Sequence, residues 1–267
     1  MKGFLKKLST AGALILSFNS FSQQTPLSVG WELWYPYQYH NVQQKLTGLD
    51  LDIFNAIMAQ ANLSATFTEL PWKRHLQYIK TGEMDLAMGA SYTPERASYA
   101  DYSIPYRKET VKLYVKKGQV NNIKLNNLAE LIASPYMIGV EGGYYYGKEY
   151  QELIKQPKFH AQLNEVIDIE QNVQLLLKGH IDGFLVDPVT MKAFVNKYKM
   201  HGEFEQHPIT IYSDDIYIMV SKKLKDKTVV TKINRAITDL KQSGQLSNII
   251  LEWTKLQTSP SQQQGNY

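Results

Sequence analysis

Short apolar runs alternate with stretches of helical periodicity along most of this chain, and this alternation restricts the possible folds more than any other feature. The apolar residues of the segment Asp50–Ala61 recur at helical spacing. The segment Asp85–Ala90 is instead a nearly continuous apolar run, which is typical of a strand buried on both faces. Gly82 is placed to end a helix as its C-terminal cap. The predicted elements of the first half are, in order, strand Leu27–Trp31, helix Asp50–Ala61, strand Thr66–Leu70, helix Trp72–Thr81 and strand Asp85–Ala90. Such alternation predicts an α/β sheet with right-handed crossovers.

The alternation begins again in the second half of the chain, which indicates a second α/β unit. Its predicted elements are helix Asn127–Ile132, strand Met137–Glu141, a helix from the N-cap Asp168 to Lys178, strand Gly183–Val186, helix Pro188–Tyr198, strand Ile216–Val220 and helix Val229–Leu240. One motif occurs in both halves: a helix, a glycine (Gly82 or Gly179), two residues, an aspartate (Asp85 or Asp182) and a buried strand. We therefore predict two lobes of related build.

The first 22 residues have the pattern of a cleavable signal peptide. Three lysines precede the apolar run Leu8–Phe18, and the small residues Ser20 and Ser22 suit a cut after residue 22. A membrane anchor is the alternative, but a span needs about 20 apolar residues and this run is shorter. We expect an exported, soluble mature chain, because no second apolar run of membrane length follows, and a polar, disordered tail at 257–267.

The composition excludes several kinds of chemistry. The chain has no cysteine, which excludes disulfides, thiolate metal sites, a cysteine nucleophile and a lipid-modified N-terminal cysteine. When the three signal-peptide lysines are taken from the 29 basic residues, 26 remain against 25 acidic ones, so the mature chain is near neutral and has no basic stripe for nucleic acid. The histidines lack metal-binding spacing and no nucleophile elbow is present. We expect no metal, no cofactor, no catalytic residue and no nucleic-acid partner, and a monomer, not a lipoprotein, in the periplasm.

The stretch from Gly89 to Tyr106 is the most specific in the chain and reads GASYTPERASYADYSIPY. A strand end, a Thr-Pro-Glu-Arg turn and an Asp-aromatic-Ser-x-Pro-Tyr segment follow one another, and this order resembles the family 3 solute-binding proteins, the periplasmic receptors of polar amino-acid ABC transporters. Further segments extend the resemblance over essentially the whole mature chain, namely Gly48–Asp52, Gly82–Asp85 and Gly179–Asp182. The resemblance implies a two-lobed periplasmic binding protein fold (type II-like), with two α/β lobes joined by two crossing strands.

The resemblance implies that the two lobes meet at the two crossing strands. The first lobe would contain residues 25–110 and 216–256, and the second would contain residues 111–215. Lobes of this kind close on a ligand by hinge motion and bury it between them. The resemblance therefore implies a protein that binds a small amino-acid-like solute and delivers it to an ABC permease of the inner membrane.

Arg96 is the main candidate for the ligand anchor. Taken alone, it could be a surface arginine in the first turn of a helix that begins with Thr93 as N-cap and Pro94. Only four of the 29 basic residues are arginines, however, and a planar guanidinium can hold a carboxylate through two parallel hydrogen bonds, which lysine cannot do. In the family, the matching arginine holds the α-carboxylate of the ligand.

Asp187 is the candidate partner for the α-ammonium group of the ligand, as the matching aspartate is in the family. It follows the predicted strand Gly183–Val186 and precedes Pro188, so it could also be a helix N-cap, and the two roles can coexist. Ligands of α/β sheets lie at the carboxyl ends of strands, which is where Asp187 stands. A zwitterion that bridges Arg96 and Asp187 would favour the closed state.

Several other residues are candidates for the cleft. Trp34 matches a family aromatic that packs on the ligand, although it and Tyr37 could instead pack in the lobe core. Ser91 and Thr93 could contribute hydrogen bonds to the carboxylate, and Thr93 is equally suited to a helix cap. The remaining candidates are Glu32, which replaces a common aspartate, Tyr144 in a Gly-Gly-Tyr-Tyr-Tyr loop, and Arg74, which could equally lie on an exposed helix face. We expect a cleft richer in aromatics and poorer in hydroxyls than is usual in the family.

Two other functions fit the same scaffold. Cyclohexadienyl dehydratases resemble these receptors and need a general acid in the cleft, a role open to Glu32 or Glu141, although their sequence context does not favour it. A ligand receptor that serves a separate sensor is the second alternative. We expect a binding protein and not an enzyme.

Overall fold

The structure is a computed structural model that describes residues 25–258. The predicted signal peptide and most of the predicted tail therefore lie outside the described residues. The strands are β1 Leu27–Trp31, β2 Tyr39–His40, β3 Leu46–Thr47, β4 Ala65–Glu69, β5 Leu86–Ser91, β6 Ala100–Tyr102, β7 Arg107–Lys116, β8 Ile138–Glu141, β9 Leu163–Val166, β10 Gly183–Val186 and β11 Phe204–Ser221. The helices are α1 Leu49–Gln60, α2 Trp72–Thr81, α3 Pro94–Ala97, α4 Lys148–Leu153, α5 Pro157–His160, α6 Ile169–Leu177, α7 Pro188–Lys197, α8 Val229–Gln242 and α9 Gln245–Thr258, with a 3₁₀ helix at Leu128–Ala133.

Nine strands form one continuous sheet in the order β4-β1-β5-β11-β7-β10-β8-β9, with β6 also paired to β11. On one side β4, β1 and β5 run parallel to each other, and on the other side β10, β8 and β9 do the same. The long strands β7 and β11 pair antiparallel between these two groups and join them. The predicted α/β class, with two lobes joined by two crossing strands, is confirmed.

The buried side chains form clusters that follow the two halves of this sheet. Two clusters take their buried members from residues 27–106 and 216–246, and one of these is built from α1, α8 and strands β1 and β5. Two others take theirs from residues 111–212. This separation supports the predicted lobe boundaries, which stay a prediction.

The repeated helix–glycine–aspartate–strand motif has the same geometry in both halves. The glycine after α2 has a φ of 87° and the one after α6 a φ of 73°, in the left-handed region that glycine adopts readily. The backbone N–H of Ser28 in β1 donates to the carboxylate of Asp85 at 2.8 Å, and the N–H of Asp85 donates to the carbonyl of Ser28 at 3.0 Å. Met137, next to β8, makes the same reciprocal pair with Asp182, at 2.7 Å and 2.8 Å. Each aspartate thus fixes its own strand beside the parallel neighbour.

Most predicted elements agree with the structure to within one or two residues, and two differ in kind or length. The helix predicted at Asn127–Ile132 is a 3₁₀ helix, and Asn127 is its N-cap, accepting from the N–H of Glu130 at 3.1 Å. The strand predicted at Ile216–Val220 is the end of the longer β11, because the preceding residues continue the ladder with β7.

Helix α9 runs up to the predicted C-terminal tail, of which residues 259–267 lie outside the described residues. The tail expected to be disordered from residue 257 begins inside this helix, which ends at Thr258. Ile249, Ile250 and Trp253 pack against the first core cluster, and the indole N–H of Trp253 donates to Asp52 at 2.8 Å. Within residues 25–258, none of the helices is long and apolar enough to cross a membrane.

Candidate functional site

A cleft with about 480 Å³ of empty space lies between the two halves of the sheet. Three of its lining residues stand at or just after the carboxyl ends of strands: Ser91 ends β5, Glu141 ends β8 and Asp187 follows β10. These ends are where ligands of α/β sheets bind. The other lining residues are Trp34, Trp72, Gly89, Arg96, Glu109, Val111, Tyr144, Tyr145, Tyr146, Leu185 and Val186.

Arg96 reaches this cleft from the short helix α3 and is only 7% exposed. The helix begins as predicted, with the Thr93 hydroxyl accepting from the backbone N–H of Arg96 at 3.1 Å and with proline in its first turn. The guanidinium donates to the carbonyl oxygen of Ser91 at 3.1 Å and to that of Gly143, on the opposite wall, at 3.0 Å. Its central carbon lies 5.7 Å from the ring centroid of Trp72. Burial lowers the pKa of Arg96, but an arginine side chain stays charged at neutral pH.

Asp187 lies on the opposite wall and is 6% exposed. Its Oδ1 accepts from the backbone N–H of Thr190 at 2.9 Å, so the carboxylate caps α7. The same oxygen accepts from the hydroxyl of Tyr37, also at 2.9 Å, which ties the start of α7 to the loop after β1. Burial raises the pKa of Asp187, and the hydrogen bonds from Thr190 and Tyr37 oppose that rise. Asp187 therefore caps α7 and lines the cleft at the same time.

A buried ion pair supports the cleft from beneath. Arg107 at the start of β7 donates to both carboxylate oxygens of Asp50, at 2.6 Å and 2.8 Å, and the two side chains are 4% and 0% exposed. The Arg107 guanidinium also stacks 4.1 Å from the ring centroid of Tyr37 and 5.2 Å from that of Trp34. Its charge is therefore neutralised by Asp50, and its flat face holds two aromatic side chains in position.

Aromatic side chains form much of the cleft wall, as the sequence predicts. Trp34 packs at 4.5 Å from Tyr37 and at 6.0 Å from Tyr144, measured between ring centroids. The hydroxyl of Tyr144 donates to Glu32 at 2.6 Å, and the backbone N–H of Trp72 donates to the other oxygen of Glu32 at 2.7 Å. Burial raises the pKa of Glu32, whereas these two hydrogen bonds lower it. Glu32 thus connects both walls from behind the aromatic surface.

Two carboxyl groups in the cleft were not predicted as ligand-binding residues. Glu109 lines it from β7, and burial raises its pKa to about 8, with Arg107 opposing the rise and Asp187 adding to it. Glu141 lines it from the end of β8, and burial together with surrounding acids, Glu32 first among them, raises its pKa well above the usual range. From the sequence, Glu141 was predicted only as a possible catalytic acid. A signal for Glu109 exists, because it is in phase with the buried alternating residues Val111, Leu113 and Val115 of its strand.

The structure brings five of the eight predicted site residues to the cleft surface, namely Trp34, Ser91, Arg96, Tyr144 and Asp187. Glu32 lies behind that surface, and Thr93 caps α3 without lining the cleft. Arg74 is exposed on α2 and does not line the cleft, which agrees with the alternative that it lies on an exposed helix face. The described part of the chain holds no cluster of three or more side chains suited to a metal ion.

Known proteins resemble this chain along most of its length. An arginine-binding periplasmic protein of Mannheimia haemolytica is 24% identical over 226 residues, which are 82% of this chain and 86% of the relative. ABC transporter arginine-binding protein 1 of Escherichia coli K12 is 22% identical over 255 residues, 93% of this chain and 99% of the relative. The L-cystine-binding protein TcyJ of the same strain is 22% identical over 265 residues, 95% of this chain and 94% of the relative.

Solved structures share the fold. An ancestral arginine-binding protein bound to arginine superposes with a TM-score of 0.72 at 23% identity, over 85% of this chain and 97% of that one. A histidine kinase sensor domain with similarity to periplasmic binding proteins gives 0.73 at 16% identity, over 86% and 96%. The family model for bacterial extracellular solute-binding proteins, family 3, matches residues 27–256. This match covers both lobes and the cleft between them, and the chain therefore belongs to the bacterial extracellular solute-binding proteins of family 3.

Proposed function

We propose that this protein binds a small amino-acid-like solute in the cleft, closes its two lobes over it and delivers it to an ABC permease of the inner membrane. The observation that carries the proposal is the position of Arg96 and Asp187, two opposite charges on opposite walls of one cleft. The α-carboxylate of the solute would accept hydrogen bonds from Arg96, and its α-ammonium group would donate to Asp187. The names of the relatives, which bind arginine or L-cystine, support this class of ligand.

Lobe closure would be carried by the two crossing strands. Along β11 the pairing partner changes: Ser213 pairs with β7, whereas Ile216 pairs with Arg107 of β7 and also with Ser91 of β5. We place the hinge at this exchange, which lies at the proposed lobe boundaries, 110/111 and 215/216. The closed arrangement is stabilised by bonds between the lobes, namely Arg96 to Gly143, Tyr37 to Asp187 and Tyr144 to Glu32. A solute that engages both walls adds to these bonds and shifts the equilibrium further toward closure.

The membership in an extracellular solute-binding family supports a periplasmic location, with the predicted signal peptide as the export signal. A chain without cysteine has no residue for N-terminal lipid attachment, which favours a freely diffusing receptor. We propose that it acts as a monomer.

The test is a thermal-shift panel on the purified chain, with the standard L-amino acids and related zwitterions. A ligand that binds only the folded state stabilises it by mass action, by about 2.7 kcal/mol at 100 times its Kd. One or a few compounds should raise the melting temperature, and native mass spectrometry of freshly purified protein should identify any of them that is carried along. The absence of any shift across the panel at millimolar ligand would contradict the proposal.

Glu141 favours a second candidate function, acid catalysis on the same scaffold. A carboxyl group whose pKa is raised well above its usual range keeps its proton to a higher pH, which suits it to act as a general acid toward a bound solute. This function predicts chemical conversion of the solute, with loss of turnover in Glu141→Gln. The binding function predicts that every bound solute is recovered unchanged, and mass spectrometry after prolonged incubation distinguishes the two.

A further inference from the structure

We propose that the solute carries a positive charge in addition to its α-ammonium group, and that Glu109 and Glu141 hold this second cation. The inference rests on the proposed function and names the ligand class of the same cleft. Among the lining residues there are three carboxyl groups, on Glu109, Glu141 and Asp187, and one cationic side chain, Arg96. The two charges of a simple zwitterion match Arg96 and Asp187, which leaves the two glutamates without a counterpart.

Neither glutamate carboxyl group has a protein partner within the described residues. Two basic side chains, Arg107 and Arg96, act electrostatically on Glu109, but both form their hydrogen bonds elsewhere. Arg107 donates to the carboxylate of Asp50, and Arg96 donates to backbone carbonyl oxygens. For Glu141 the backbone N–H bonds to Tyr146 at 2.7 Å, but its carboxylate receives no hydrogen bond or ion pair from the described part of the chain. Polar groups in a sheltered cleft are costly when they lack partners, so a ligand with donors at these positions gains the most from binding there.

The ionisable groups that act on the two glutamates are mostly acidic. The groups with the largest electrostatic effect on Glu141 are four acids, namely Glu32, Asp168, Glu170 and Glu109. Those that act on Glu109 are Arg107, Asp187, Asp50 and Arg96, of which Arg107 is paired with Asp50. An added cation is therefore attracted to the region between the two glutamates, and an anionic side chain is repelled from it.

The cleft offers aromatic side chains and additional space for an extended side chain that ends in a cation. Trp34 and Tyr144 line the same cleft as Glu141, and the faces of aromatic rings bind ammonium and guanidinium groups. A second space of about 380 Å³ shares Trp34 and Glu141 with the first and continues past them to Glu170. Lys197 is the basic residue that lines this second space. Its ammonium nitrogen lies 5.3 Å from the ring centroid of Tyr35 and 5.2 Å from that of Tyr198. The ligand class is therefore an amino acid with an amine or guanidine on its side chain.

Binding of such a ligand displaces protons. Burial raises the pKa of Glu109 to about 8, so this carboxyl holds a proton at neutral pH, and burial together with surrounding acids raises the pKa of Glu141 well above its usual range. A cation stabilises the ionised carboxylates, and each carboxyl that ionises transfers its proton to the solvent. Affinity for a cationic amino acid must then rise with pH, by up to about tenfold per unit for each proton released.

Isothermal titration with matched probes tests the inference on the purified full-length chain. L-Arginine is compared with L-citrulline, which replaces the guanidine with a neutral ureido group of the same length, and L-lysine with L-norleucine. At least one cationic probe should bind about tenfold or more tightly than its neutral match, a difference of about 1.4 kcal/mol. That advantage should increase between about pH 6 and about pH 8, and titrations in buffers of different ionisation enthalpy should detect proton release.

The variants Glu109→Gln and Glu141→Gln keep the side-chain shape and remove the ability to ionise when a cation binds. Each should reduce both the advantage of the cationic probe over its neutral match and the pH dependence of that advantage, and the exposed Glu149→Gln should change neither. Equal binding of the matched probes, tighter binding of a neutral or acidic amino acid, or an unchanged cationic preference in the Glu109→Gln/Glu141→Gln double variant would overturn the inference and leave the proposed function standing. Failure of every amino acid to bind would overturn the proposed function itself.

Discussion

The guanidinium of Arg96 donates a 3.0 Å hydrogen bond to the carbonyl oxygen of Gly143. This bond links α3, which follows β5, to the loop after β8. The same guanidinium holds the carbonyl of Ser91 on its own side at 3.1 Å. Because a guanidinium has five N–H donors, it can hold a ligand carboxylate as well as these backbone oxygens. Arg96 is therefore placed to join ligand binding to lobe closure, and changes around it should separate the two effects.

Asp187 should show two separable roles. Asp187→Asn keeps an oxygen that can accept from Thr190 and Tyr37 but removes the charge, so solute affinity should fall about tenfold or more while stability is kept. Asp187→Ala removes the cap as well, which should cost about 1–2 kcal/mol of unfolding free energy in addition. Urea denaturation and calorimetric titration of both variants measure this split. Equal affinity in wild type and Asp187→Asn would mean that the aspartate is a helix cap alone.

The ion pair of Arg107 with Asp50 should be important for stability because both charges are buried. Asp50→Asn removes one partner and leaves a desolvated guanidinium, which should cost about 3–5 kcal/mol of unfolding free energy. Chemical denaturation measures the change, and Glu152→Gln, which breaks the exposed pair with Lys155, is the control expected to have no measurable effect. A loss in Asp50→Asn as small as in the control would contradict the proposed support beneath the cleft.

The bond from Tyr144 to Glu32 should slow solute release, because it joins the two walls at 2.6 Å. Tyr144→Phe removes a hydrogen bond to a carboxylate, worth about 1.5–3 kcal/mol, so dissociation should become about tenfold faster or more. Stopped-flow tryptophan fluorescence can follow this rate, since Trp34 packs against Tyr144. Tyr145→Phe is the matched control in the same loop and should release solute at the wild-type rate. Equal rates in the two variants would show that the hydroxyl of Tyr144 has no role in closure.

Glu109 should make stability depend on pH. Its pKa is about 8 in the folded protein against the usual 4.5, so between these values the folded state keeps a proton that the unfolded chain has lost. The unfolding free energy therefore falls as pH rises through this window, and the loss is complete above about pH 8. Glu109→Gln should match wild type near about pH 4 and exceed it by about 1–3 kcal/mol at about pH 8, after allowance for screening by water in the cleft. Urea denaturation at several pH values checks this, and a constant difference at all of them would contradict it.

The elements with local signals were predictable from sequence. β1, α2 and β10 have the predicted bounds because glycine, proline or charged residues delimit apolar runs or helical repeats at Leu27–Trp31, Trp72–Thr81 and Gly183–Val186. The helix caps Thr93 and Asp187 could also be found, since both follow strand ends beside a helix start. The anchor role of Arg96 came from the family resemblance and stays a prediction.

Features that depend on distant pairing could not be placed in the same way. β7 has polar residues at alternate positions, and its Glu109 lines the cleft only because the strand lies between β11 and β10. The pairing of Arg107 with Asp50 joins residues 57 positions apart, and nothing local in either segment marks it. α9 was not among the predicted elements, and its position is set by the packing of Ile249, Ile250 and Trp253 on the core that α1 and α8 share.

Calorimetric titration of wild type, Arg96→Ala and Arg96→Lys with the amino acid that gives the largest thermal shift tests the central claim most directly. Two charged hydrogen bonds to a carboxylate are worth about 3–6 kcal/mol together, so both variants should bind about 100-fold or more weakly, with unchanged circular dichroism spectra. Lysine should fail as alanine does, because its single ammonium cannot reproduce the planar fork. Wild-type affinity in a folded Arg96→Ala protein would show that the solute is anchored elsewhere and would contradict the account.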